Sequence, residues 1–309
     1  MTSDRVGILT FEQMQAVQDL GSTRIRVLSM MDYWPEAELF RIGRHYSTVI
    51  FQKAYWLEYA KKFDGVKILD LCDPDLLHWG SSCKAMADAC DVVITSTPSL
   101  ANLVSQYTTT PTSCIPDRVN LNSVHNLRKS HSGNGPTRTA VWFGYSMNFP
   151  SLDSAITKLL PLGINHLIVI ADWDKPYWLP LEHYGTIRVT NYAWQAKTVH
   201  EHLLEADVVL NFSLDSGRWK YKSNNKTILA WALGLPVAHS ADELASLLSE
   251  EARIQEAERR FLEVQRDYDI RQSVDEYKSL IARVSAVKLG LPVLHNRADT
   301  LSDGMEHNQ

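Results

Sequence analysis

Lys222-Ser-Asn-Asn-Lys226-Thr-Ile-Leu-Ala-Trp-Ala-Leu-Gly234-Leu-Pro236-Val237 puts a polar, cationic turn directly before a short apolar helix, which Gly234 ends before a strand begins. The first N–H groups of a helix have no intrahelical acceptor and carry about half a positive charge, so such a junction suits an anion. Lys222 and Lys226 add two point charges, with Arg218 and Lys220 just upstream. The plain alternative for a run of charges is a solvated basic loop. Here the cations follow a strand and open an apolar helix, so Arg218, Lys222, Asn225 and Lys226 read as a diphosphate cradle.

Outward from that segment, short apolar runs alternate with helical patterns. Strands are expected at Val6–Phe11, Ser47–Gln52, Val66–Cys72, Asp91–Ser96 and Thr112–Ile115, with helices at Thr23–Trp34, Tyr55–Phe63, Lys84–Ala89 and Leu100–Tyr107. Residues 129–138 are rich in turn formers and read as a linker. The alternation then restarts, with strands at Thr139–Phe143, His166–Ala171, Thr186–Thr190, Asp207–Phe212 and Val237–His239. Helical periodicity covers Leu152–Leu160, Lys197–Glu205, Thr227–Leu233, Asp242–Leu248, Glu250–Asp267 and Val274–Leu289, before a polar tail from Pro292 to Gln309. The expected fold class is α/β, with two Rossmann-like doubly wound domains facing a cleft. The expected division is 1–132, 133–270 and a C-terminal helix and tail at 271–309, with part of 250–289 packing back on the first domain.

A chain of 309 residues suits two domains. Its net charge of -5 gives no global basic footprint and argues against tight, non-specific nucleic-acid binding. Cys72, Cys83, Cys90 and Cys114 form no C-x-x-C pair, so reduced, mostly core thiols and no metal site are expected. Neither a basic-then-apolar leader nor an apolar run near ~20 residues is present, and a cytoplasmic protein with no transmembrane segment is expected.

Other candidates sit at strand ends, where open sheets bind ligands. Gly21, Ser22 and Arg24 form a turn able to approach donor or acceptor; a capped helix start is the alternative. Asp73, in Asp70-Leu-Cys-Asp73-Pro-Asp75, is the preferred contact for an acceptor hydroxyl, against a simple Asp-Pro turn. Thr95–Ser99 reads first as a helix cap. Gly144 and Ser146 follow the first strand of the second half, where a small residue admits a phosphate or sugar.

In order, Asp91-Val-Val-Ile-Thr-Ser-Thr-Pro-Ser-Leu-Ala, Ile115-Pro-Asp-Arg-Val-Asn120, Val141-Trp-Phe-Gly144, Ala206-Asp-Val-Val-Leu210 and Thr227–Val237 resemble successive segments of the GT-B glycosyltransferases, most nearly the group 1 retaining enzymes. The resemblance spreads over residues 5–240. It implies a nucleotide-diphosphate sugar as co-substrate, bound mainly by the second domain, with no further cofactor and no obligatory metal. It also implies an acceptor held mainly by the first domain, and retention of configuration. The acceptor class stays open among glycan, lipid-linked sugar, protein, small metabolite and modified nucleic-acid base. One departure is plain: Tyr221 and Leu229 stand where the family commonly has two glutamates. A GT-B sugar-nucleotide epimerase, a two-domain binding protein and a non-catalytic glycosyltransferase-like subunit are the rival expectations.

Overall fold

A computed structural model describes residues 5–17, 19–172, 181–212, 214 and 217–292. The first sheet comprises β1 (Val6–Thr10), β2 (Ala37–Leu39), β3 (Thr48–Gln52), β4 (Val66–Leu71), β5 (Val92–Thr95) and β6 (Thr112–Cys114). Their order is β2-β1-β3-β4-β5-β6, and every pairing is parallel. The second comprises β7 (Thr139–Gly144), β8 (His166–Ala171), β9 (His183–Tyr184), β10 (Ile187–Ala193), β11 (Val208–Leu210) and β12 (Val237–Ala238). Its order is β12-β11-β7-β8-β10-β9, with only β9 antiparallel.

The sequence forms such sheets because its central strands are apolar on both faces. In β3 and β4, Val49, Phe51, Leu69 and Leu71 point into one core, and Ile50 and Ile68 into the other. Each fully buried side chain of this kind contributes about 1.5–3 kcal/mol, and helices on both faces are needed to collect it. The fold class is therefore as the alternation implied: α/β, with two Rossmann-like domains.

Several elements differ from expectation for local reasons. The strand at Val6 stops at Thr10, whose side chain caps a helix at Phe11–Gln15. The helix expected from Thr23 starts at Gly21 and contains a π segment, Arg24–Leu28. That widened turn lets two consecutive residues, Arg26 and Val27, face the interior. The Asp73–Asp75 turn flows into a helix, Asp75–Ala89, kinked at Gly80. Strands β2 and β9, three and two residues long, are too short to show a period. All four cysteines are free, and Cys114 is exposed rather than in a core.

The chain passes between the domains twice, side by side. Val119 N–H donates to Tyr268 O at 3.0 Å, and Ile270 N–H to Val119 O at 3.0 Å. The helix Ile270–Lys288 then covers the first sheet, burying Ile270, Val274, Tyr277 and Leu280 beside Trp34 and Ile68. Residues 129–138 lie against the second domain: Lys129 N–H donates to Leu233 O at 2.8 Å, and Glu250 accepts from the N–H groups of Gly133 and Gly135. The polar tail beyond Pro292 lies outside the described residues.

Candidate active site

Segments that follow the carboxyl ends of both sheets meet one another: Gly21 with Tyr145, Arg24 with Trp194 and Thr97 with Tyr221. On the second-domain side, β7 ends at Gly144 with φ +151°, a conformation that side chains rarely adopt. A Cβ there would lie 2.4 Å from Lys226 Nζ, so the glycine makes room for that ammonium. Lys226 sits in the first turn of the helix Asn225–Ala232. Its Nζ stands 5.0 Å from the Trp142 ring centroid and 5.8 Å from that of Phe143. Burial, helped by repulsion from Lys222, pushes its pKa down to about 7. No carboxylate pairs with it among the described residues. The cation thus stands beside a helix start that has no side-chain cap.

The other basic residues surround it. Lys222 Nζ donates to Asn148 Oδ1 at 2.8 Å and lies 4.8 Å from the Trp219 ring centroid. Burial lowers its pKa, with Asp73 opposing. Arg218 Nη2 donates to Met147 O at 3.0 Å. Both cations thus tie the 217–221 turn to the Ser146–Asn148 turn that follows Gly144. Ser146 is buried: its backbone N–H donates to Asp172, and its hydroxyl has no partner among the described residues. Asn225 donates to Ser223 Oγ at 2.9 Å and to Asp117 Oδ2 at 3.4 Å. Tyr221 and Leu229 pack against the first- and second-domain cores, respectively.

On the first-domain side, Gly21 N–H donates to Tyr145 OH at 2.9 Å, joining the two domains' glycine loops. Arg24 reaches across, its guanidinium 4.3 Å from the Trp194 ring centroid, while pairing with Asp19 at 2.9 Å. Ser22 is partly exposed in the first helical turn between them. Asp73 follows β4, where Lys53 Nζ donates to its Oδ2 at 2.5 Å and lies 3.8 Å from Asp75 Oδ1. Burial opposes ionisation of Asp73, but Lys53, aided by Lys222 and Arg218, outweighs it and holds the carboxyl below its ordinary range. Burial also opposes the Lys53 charge, and its neighbours Cys72, Asp73 and Asp75 reverse the balance. An ionised, ion-paired carboxylate is a good hydrogen-bond acceptor and a weak base.

Sequence reasoning missed Lys53, Asp117, Tyr145, Asn148 and Trp194. Lys53 carried a usable signal: it directly follows β3, as Asp73 follows β4, and its φ of +52° is unusual for a side-chain-bearing residue.

No protein-family model matches the chain, and no curated protein matches it significantly. Solved structures do. This is the GT-B fold, which several solved glycosyltransferases share. Anabaena HepE, solved with UDP and glucose, superposes with a TM-score of 0.66 at 12% identity over 90% of this chain and 99% of that one. An alpha-glucosyltransferase, solved with UDP and a 13-mer DNA containing a HMU base, gives 0.66 at 11% identity, again over 90% and 99%. AviGT4, a glycosyltransferase of avilamycin A biosynthesis, gives 0.56 at 13% identity over 91% and 98%. Among the described residues no helix is long and apolar enough to cross a membrane.

Proposed function

We propose that this protein is a glycosyltransferase that moves a sugar from a nucleotide-diphosphate sugar to an acceptor hydroxyl, with retention. One observation carries the reading. Lys226, with no counter-ion among the described residues, stands with Lys222 and Arg218 on the second-domain side, and the Lys53–Asp73 pair lies on the first-domain side within the field of Lys222 and Arg218. The UDP bound in HepE and in the alpha-glucosyltransferase makes UDP-sugars the first donors to try.

In the reaction, the bond from the anomeric carbon to the diphosphate oxygen breaks as the acceptor oxygen bonds to that carbon. Charge develops on the leaving diphosphate, where Lys226, Lys222, Arg218 and the helix N–H groups stabilise it. The absence of a Cβ at Gly144 leaves room for the Lys226 ammonium at this place. Asp73 accepts a hydrogen bond from the acceptor hydroxyl and orients it. Because Lys53 keeps Asp73 ionised and weakly basic, the acceptor proton ends on the leaving diphosphate, consistent with same-face attack.

The test is release of nucleoside diphosphate from a panel of nucleotide sugars, with and without acceptors. The panel includes glycans, lipid-linked sugars, proteins and DNA carrying hydroxymethyluracil. Acceptor-dependent release, with the product anomer assigned by NMR, supports transfer. Acceptor-independent conversion of the sugar would indicate an epimerase. Failure to bind any nucleotide sugar would overturn the proposal.

A further inference from the structure

Asp117 is 4% exposed and lies where the chain first passes between the domains. Its Oδ1 accepts from Arg26 Nη1 at 2.7 Å. Its Oδ2 accepts from Ser223 Oγ at 2.5 Å and, more weakly, from Asn225 Nδ2 at 3.4 Å. We propose that Asp117 is a positioning residue for the donor diphosphate. It fixes the first turn of the Asn225–Ala232 helix, through Ser223 and Asn225, to the immobile core of the first domain. This inference rests on the donor-site reading above.

Three features support it. First, the anchor is rigid. The buried Arg26 guanidinium also donates to Asp70 at 2.8–3.0 Å, to Ile115 O at 3.1 Å and to Tyr277 OH at 3.1 Å. It therefore gathers the 24–28 helix, β4, the 115–117 segment and the C-terminal helix. Second, the anchored residues bracket the cations. Ser223 directly follows Lys222, and Asn225 directly precedes Lys226. Just upstream, Tyr221 O accepts from Thr97 Oγ1 at 3.2 Å, so the loop is held to the first domain on both sides of Lys222. Third, the helix has no side-chain cap of its own at Asn224, so its start depends on this external support.

A bare carboxylate beside a diphosphate site would repel the ligand. Arg26, shared with Asp70, offsets part of the Asp117 charge while Asp117 keeps an oxygen for Ser223. Asn225, whose amide is already engaged there, acts in the support rather than on the ligand.

The experiment measures calorimetric affinity for the tightest of UDP, GDP and ADP, and for its own nucleoside, which lacks the phosphates. Ser223→Ala leaves the Arg26 pairs intact and should keep the melting temperature near wild type. It should weaken the diphosphate about tenfold, the effect of one hydrogen bond to a charged group, and leave the nucleoside unchanged. Ser223→Thr should restore binding, and Asp117→Asn should weaken it at least as much as Ser223→Ala. Lys226→Met serves as the donor-site control. Wild-type affinity in Ser223→Ala beside a weakened Lys226→Met overturns the positioning role and leaves the donor site standing. Equal loss of diphosphate and nucleoside overturns it as general damage. A wild-type protein that binds none of the three, or a Lys226→Met variant that binds normally, overturns the donor-site reading and this inference with it.

Discussion

Lys226→Met should stabilise the free protein and weaken its hold on a nucleoside diphosphate. The substitution keeps the stem against Trp142 and removes a charge that has no counter-ion among the described residues. The fall of the Lys226 pKa from 10.5 to about 7, at about 1.4 kcal/mol per unit, corresponds to roughly 5 kcal/mol. Screening at a half-buried ammonium and attraction to the two ring faces reduce this to about 1–3 kcal/mol. Between pH 7 and 10.5 the unfolded chain binds more protons at this site than the folded chain does. Wild-type stability therefore gains from this residue as pH rises, and the variant's advantage is largest below about pH 7 and fades above it. Binding has the opposite sign. A charge-assisted phosphate contact is worth about 1.5–3 kcal/mol, so at pH 6 the variant should lose roughly 10–150-fold in affinity. For the wild type, affinity should be full below about pH 7 and fall up to about tenfold per unit above it, because the neutral amine must gain a proton on binding. The assay is calorimetry at pH 6 and 8 in two buffers of different ionisation enthalpy. Proton uptake should approach one per site at pH 8, where a terminal phosphate of pKa about 6 is already ionised. Flat affinity and no proton uptake at pH 8, or unchanged binding by the variant, would refute the reasoning.

Gly144→Ala places a Cβ 2.4 Å from Lys226 Nζ at a φ of +151°; it should cost about 1–3 kcal/mol in denaturant unfolding and weaken diphosphate binding as Lys226 is displaced. Asp73→Asn should lower turnover by about 10²-fold or less while donor affinity, measured on the same variant, changes little. Lys53→Met should raise the Asp73 pKa toward the ordinary range, so the acid limb of the pH–rate profile moves to higher pH; an unmoved limb would detach Asp73 from the reaction. Arg26→Leu leaves Asp70 and Asp117 buried without their partner and should destabilise the fold by about 3–5 kcal/mol in urea titrations.

The parts of this molecule that sequence makes legible are the local ones. Apolar runs such as Val49–Phe51 and Ile68–Leu69 announce strands buried on both faces, and their alternation with helices implies the two parallel sheets. The cations at 218–226 announce themselves because they are neighbours in the chain. What stays hidden is formed by distant pairing. Lys53 meets Asp73 across 20 residues, and Asp117 meets Ser223 across 106; no periodicity encodes either contact. Asn225 illustrates the same limit: its position beside Lys226 is readable, but the direction of its amide is set by Asp117. Arg26 looks like a surface charge until a π segment turns it inward.

The helix Ile270–Lys288 has a consequence for biosynthesis. The first sheet is complete once residue 114 is made, yet Ile270, Val274, Tyr277 and Leu280, which cover one of its faces together with Val27, Met30 and Trp34, come from residues 270–280. At about 5–20 residues per second, the roughly 155 residues in between take about 8–30 s to emerge. During that interval Ile50, Ile68 and Ile94 lack part of their cover. Ribosome-bound chains halted near residue 200 should therefore be cut readily by protease within residues 5–115, and chains extended past 290 should resist. Equal resistance at both lengths would show that the first domain closes without its last helix. A nascent chain of this design finishes covering its first sheet only when residues 270–280 have emerged.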